Sequence, residues 1–182
     1  MATYYIDPDW AGTTSGTEAE PFNAWSQVSW GNNHVYLQKR NTVAAETVAP
    51  SSGSVILGAY GEGERPIITG NMNPSGTVSK ITARDLQFIA AATVTTRIWL
   101  GGTGCACDIE GCRFEGDRAN TSGWIELGGD DSRIVNNDFL GLPASKNGIV
   151  CQTASSHNTL IESNRFDIEG STVTIFGGQR GD

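Results

Sequence analysis

The sequence is short of positive charge: 12 Lys and Arg stand against 20 Asp and Glu, a formal net charge of −8. A nucleic-acid-binding surface needs clustered cations that displace counterions from phosphates, so this balance argues against nucleic acid as a partner. It also supplies no general attraction to an acidic polysaccharide. A long apolar run is missing as well. No stretch approaches the ~18 apolar residues of a membrane span, which excludes insertion by a helix. The opening Met1-Ala2-Thr3-Tyr4-Tyr5-Ile6-Asp7 has neither the basic nor the apolar region of a secretory leader. Either the chain is assembled and kept inside the producing cell until lysis, or its start has been trimmed away. Histidine is scarce: His34 and His157 lie far apart and read as turn residues. The four cysteines, Cys105, Cys107, Cys112 and Cys151, fit no common zinc spacing. They read as buried free thiols, small apolar residues in effect, although an even count leaves disulfides open.

What is abundant is glycine, 23 residues, spread along a chain of 182 in a way that implies many turns and few long helices. A repeat emerges once internal periodicity is sought. Ile81–Phe88, Cys107–Phe114, Ser132–Phe139 and Thr159–Phe166 end in phenylalanines spaced 26, 25 and 27 residues apart. Five residues before each Phe stands Ala83, Ile109, Ile134 or Ile161, and two before it Leu86, Cys112, Asn137 or Asn164. Between these lies a second alternating segment: Ile98-x-Leu100, Ile125-x-Leu127, Ile149-x-Cys151 and Val173-x-Ile175.

Two short period-two segments per unit describe strands, and no helical or leucine-rich repeat fits them. The expectation is an all-β fold, a right-handed parallel β-helix solenoid whose turns stack about 4.8 Å apart. Equivalent residues then touch. Phe114, Phe139 and Phe166 form an inner stack, and Asn137 and Asn164 form an amide ladder at a bend. Outward, Gln87, Arg113, Asp138 and Arg165 align, and Asp108 faces Arg133. Such exposed pairs contribute only tenths of a kcal/mol each, but they penalise slipped register.

Residues 1–33 read as an N-terminal cap of strand, loop and short helix. Tyr4-Tyr5-Ile6 is the strand, and one or two helical turns are expected within 21–28, with Phe22, Trp25 and Val28 covering the first turn of the solenoid. Residues 34–182 then supply the rungs. Nothing after Ile175 resembles a cap, so the solenoid is expected to continue beyond 182 or to be covered by another subunit.

A family resemblance follows from Tyr4-Tyr5-Ile6-Asp7-Pro8, Gly16-Thr17, Pro21-Phe22, His34-Val35-Tyr36-Leu37, Val55-Ile56-Leu57-Gly58-Ala59-Tyr60-Gly61-Glu62-Gly63, Pro66-Ile67-Ile68 and Gly70. In that order they resemble the N-terminal part of pectate-lyase-like β-helix proteins, a superfamily of polysaccharide lyases, glycosidases and phage tailspikes. The resemblance implies the fold. One scaffold hosts several activities, and no catalytic motif of those enzymes matches residue by residue.

If Ile98, Leu100, Ile125 and Leu127 point inward, alternation turns Arg97, Trp99, Trp124 and Glu126 outward, with Arg97 beside Trp124 and Trp99 beside Glu126. Two exposed tryptophans flanked by Arg and Glu suit sugar rings and hydroxyls, and a covering loop or partner subunit would also explain them. Carboxylates for glycoside chemistry are available at Glu126, Asp130 and Asp131, and hydrolysis requires two of them at a set separation. Acidic turn residues are more often simply solvated. No cofactor is required. Calcium at Asp130 and Asp131 is conceivable because it takes oxygen ligands, but the loop lacks the spacing of a dedicated site.

The leading functional expectation is a structural, glycan-contacting module of a phage tail spike or fibre. It would be a homotrimer, located in the virion or outside the cell, that meets a polysaccharide or cell-surface glycan and has no activity of its own. The alternatives are a truncated polysaccharide lyase or glycoside hydrolase, and a secreted bacterial surface spacer.

Overall fold

A computed structural model describes residues 1–75, 77–89, 96–99, 105–115, 123–141, 147–151, 158–167 and 175–176. These are nearly all strand or turn. One sheet contains β1 (Thr3–Ile6), β2 (His34–Lys39), β4 (Gly53–Tyr60), β6 (Val78–Arg84), β9 (Ala106–Glu110), β12 (Arg133–Val135) and β15 (Leu160–Glu162), hydrogen-bonded in that order. A second is built from β3 (Val43–Ala44), β5 (Ile67–Ile68), β7 (Gln87–Ile89), β10 (Arg113–Glu115), β13 (Asp138–Leu140) and β16 (Arg165–Asp167). A third joins β8 (Thr96–Trp99), β11 (Gly123–Leu127), β14 (Asn147–Cys151) and β17 (Ile175–Phe176). Every pairing between these strands is parallel. Among the described residues, β1–β5 belong to the first two sheets only, and from β6 onward the chain visits the three sheets in turn; each strand lies against the strand one circuit earlier.

Period two governs each strand. In β6, Ile81 and Ala83 are buried while Lys80 and Arg84 are exposed. Between the first and second sheets the chain bends at Asp85, Gly111, Asn136 and Ser163, all left-handed, with φ of 55°, 62°, 57° and 55°. Gly, Asn and Asp tolerate that conformation best, and three of the four positions carry one of them.

Next in the chain comes the column Leu86, Cys112, Asn137, Asn164, and the expected amide ladder is there. Asn137 accepts from the Cys112 backbone N–H (2.8 Å) and donates to the Ile109 carbonyl (2.9 Å) and to Asn164 Oδ1 (3.0 Å). Asn164 donates in turn to the Ile134 carbonyl at 2.7 Å. One step further, Phe88, Phe114, Phe139 and Phe166 stack with ring centroids 5.2, 4.8 and 4.8 Å apart and interplanar angles of 9°, 7° and 8°. The Ala83–Ile109–Ile134–Ile161 register also matches the repeat.

Two expectations need correction. No N-terminal capping helix forms: Trp25–Gln27 is a single 3-10 turn. Phe22 is held extended instead, in a parallel bridge with Ile6, and the carboxylate of Glu46 takes the Trp25 and Ser26 backbone N–H groups. Trp25 and Val28 are nonetheless buried, and Tyr4, Phe22 and Trp30 pack against the same core. In the third sheet, Ile98, Ile125 and Ile149 align as expected, but the partner of Ile149 is Ile175 rather than Val173. A shift of two residues leaves the inward and outward faces unchanged, so periodicity alone could not distinguish the registers.

Candidate functional site

Alternation on the first sheet sends one set of side chains into the core and the other onto a broad outer face. Across the strands, the outward columns read Val35, Ile56, Thr82, Asp108, Arg133, Leu160 and, two residues along, Leu37, Gly58, Arg84, Glu110, Val135, Glu162. The face is apolar around β2 and β4 and charged from β6 onward.

The charged part is a cross-strand ladder. Arg133 Nη1 lies 3.0 Å from Asp108 Oδ1, and Arg84 reaches Asp108 at 3.8 Å and Glu110 at 3.6 Å. Asp108 is largely enclosed by these guanidinium groups, whereas Arg84 and Arg133 remain about half exposed. Beside the ladder lies a cavity of about 360 Å³, lined by Met1, Asn33, Ser54, Val55, Ile56, Lys80 and Thr82. Lys80 is exposed at its wall and makes no ion pair among the described residues. Thr82 belongs to both regions, since it lines the cavity and pairs in register with Asp108. Hydroxyl, amide, ammonium, guanidinium and carboxylate groups thus share one open surface. Such a set hydrogen-bonds polyhydroxylated ligands well, because every hydroxyl needs both donors and acceptors.

The tryptophan face is not assembled as anticipated. Trp124 is fully buried in the core, its ring 5.8 Å from that of Phe114, and its indole Nε1 is buried with no hydrogen-bond partner among the described residues. Both Trp124 and Ile125 are buried, so strict alternation fails at the start of β11 and Trp124 cannot stack on a sugar. Trp99 does pair in register with Glu126, as expected. The side chains of Arg97, Trp99 and Glu126 lie outside the described residues. Asp130 and Asp131 are exposed; Asp131 sits in a left-handed bend (φ 57°) and accepts from Asn158 Nδ2 at 3.2 Å. That is the geometry of a solvated turn. Among the described residues, no three His, Cys, Asp or Glu side chains gather to hold a metal ion.

Cys105, Cys107 and Cys112 are fully buried. Burial pushes the Cys105 thiol up to about 11 and the Cys112 thiol up to about 12. Thiols held protonated are poor nucleophiles, which fits a packing role. His34 packs against Tyr4 and Tyr36, and His157 lies outside the described residues. In the outward column of the second sheet, Gln87, Arg113, Asp138 and Arg165 align as expected. Arg113 also pairs with Glu115, and Arg165 with Asp167, along their own strands.

Sequence reasoning recognised the Asp108–Arg133 pair as a register device but missed the groove. The available signal was the alternation of β6, which exposes Lys80, Thr82 and Arg84 together on the face that Asp108 and Arg133 share.

The fold is similar to that of a solved structure titled "Rhamnogalacturonan lyase", with a TM-score of 0.61 and 16% sequence identity, over 91% of this chain and 51% of that one. The chain therefore spans about half the length of that structure. No family model and no curated protein matches the sequence.

Proposed function

We propose that this chain is a right-handed parallel β-helix module that contacts polysaccharide through the outer face of its first sheet. The handedness follows from the strong preference of parallel strand crossovers for the right-handed path. The observation that carries the binding reading is the continuity of the Lys80 groove with the Arg84–Asp108–Arg133 ladder. It gives an open surface with donors and acceptors repeated from turn to turn, suited to a chain of repeating sugars. The likeness to a fold seen in a polysaccharide lyase is compatible with such a ligand. The setting proposed is a phage tail spike or fibre, outside the cell, with the intact protein a homotrimer.

The test is retention of glycans by the intact chain on an array, with light scattering for the oligomer. Binding should weaken by roughly tenfold in Lys80→Ala or Arg133→Ala, a loss of ~1.4 kcal/mol. An array that retains nothing would remove the proposal. The second reading, a lyase or hydrolase, is favoured by the same fold likeness together with Asp108 and Glu110 on this face. It requires turnover, read as new reducing ends or as ultraviolet absorbance from an unsaturated product.

A further inference from the structure

The apolar end of the same face holds a feature that the groove and ladder do not use. Tyr5 on β1 and Tyr60 at the end of β4 are both outward and half-buried. Between them on β2 lies Leu37, which pairs with Tyr5 on one side and with Gly58 on the other. With no side chain at Gly58, the two tyrosines approach each other across β2, their ring centroids 5.1 Å apart at an interplanar angle of 83°. Lys39, opposite Tyr60 in register, forms an ion pair with Asp7 at 2.7 Å. The Asp7 carboxyl is nearly enclosed and also accepts the Asp9 backbone N–H at 3.1 Å, while the Lys39 side chain remains half exposed. Tyr5, Leu37 and Tyr60 are each partly exposed.

We propose that Tyr5, Leu37, Tyr60 and Lys39 form a subsite for one neutral pyranose, which presents the apolar C–H face of its ring to the tyrosines and its hydroxyls to Lys39. The inference rests on reading this face as a polysaccharide surface, and adds to it the class of sugar and its place. Three observations lead there. An edge-to-face tyrosine pair on an open sheet leaves aromatic surface in contact with water, a cost that a ligand with an apolar face relieves. The local charge selects against acids: burial chiefly, then the nearby carboxylates of Asp7 and Glu18, push the Tyr60 phenol up to about 12, and the same carboxylates would repel an acidic sugar. Like any tyrosine near neutral pH, Tyr60 keeps its proton and can donate a hydrogen bond. Lys39, half exposed and already paired with Asp7, offers N–H donors without a net positive field for a carboxylate.

The experiment uses the full chain with fluorotyrosine at all four tyrosines, read by fluorine NMR, with Tyr5→Phe and Tyr60→Phe assigning the signals. The probes are cellotetraose, maltotetraose and mannotetraose, with tetragalacturonate as the acidic comparison. At least one neutral probe should shift the Tyr5 and Tyr60 signals saturably and leave Tyr4 and Tyr36 unmoved. Tyr60→Ser should weaken that binding by roughly tenfold. If glycans are retained on the array but no neutral probe moves either signal, the subsite is wrong and the polysaccharide face stands. An equal response to tetragalacturonate overturns the neutral preference. If no glycan is retained and no signal moves, both readings fall together.

Discussion

Replacing Asn137 with Ala tests whether the amide ladder holds successive strands of the parallel sheets together. Its side chain makes three hydrogen bonds: two buried, from the Cys112 N–H at 2.8 Å and to the Ile109 carbonyl at 2.9 Å, and one partly buried, to Asn164 Oδ1 at 3.0 Å. At about 1 kcal/mol each, their loss costs about 3 kcal/mol. The Cys112 N–H is then stranded next to a fully buried side chain, where water cannot replace its partner, which keeps the cost from falling below that sum. Asn137→Asp separates donor from acceptor roles. A carboxylate still accepts from Cys112 but cannot donate to Ile109, and it faces Asn164 Oδ1 oxygen to oxygen, so its penalty should match or exceed that of alanine near neutral pH. Urea unfolding gives the stability, and hydrogen exchange at the Cys112 amide gives the local effect. A loss below ~0.5 kcal/mol for Asn137→Ala, the range of an ordinary surface change, with Cys112 still protected, would refute the ladder as a source of stability.

Three further outcomes follow from the same geometry. Phe114→Ala should cost ~3–5 kcal/mol in urea unfolding, since Phe114 lies between Phe88 and Phe139 and against Trp124; Phe166→Ala should cost clearly less, because Phe166 is only partly buried. Gly129→Ala should destabilise by ~1–3 kcal/mol, because a Cβ there would overlap the Cys105 backbone carbonyl, which belongs to a neighbouring turn and cannot swing aside. Stability should fall at alkaline pH. The Cys105 and Cys112 thiols are raised from 9.0 to about 11 and about 12, so the folded state holds these protons more tightly; their contribution is intact below pH 9.0 and is lost as pH rises through about 11 to 12. Urea midpoints measured across that range should decline, and less so in Cys112→Ala; an unchanged decline would assign it to other groups.

The repeat made much of the inner register legible. Phenylalanines recurring at 26, 25 and 27 residues can coincide only if each interval is one circuit, and Ile109, Ile134 and Ile161 report the same period. The amide ladder was legible for the same reason, since Asn137 and Asn164 hold equivalent positions and stacked amides satisfy each other. The third sheet was harder. Its segments are joined to the rest by stretches without an aligned marker, and Ile175 takes the register position expected of Val173, a shift of two that alternation alone does not detect.

The sequence by itself determined which residues point inward in most strands, because period-two alternation and an approximate circuit length are local properties of the chain. It did not determine the fate of Trp124. Alternation from Ile125 placed that side chain outside, yet its large apolar ring gains more by reaching the Phe114 stack, and only three-dimensional packing could show that space was available there. The candidate surface was hidden for a related reason. Lys80, Thr82, Arg84, Asp108 and Arg133 come from three different circuits, and their neighbourhood exists only once parallel pairing brings those strands side by side.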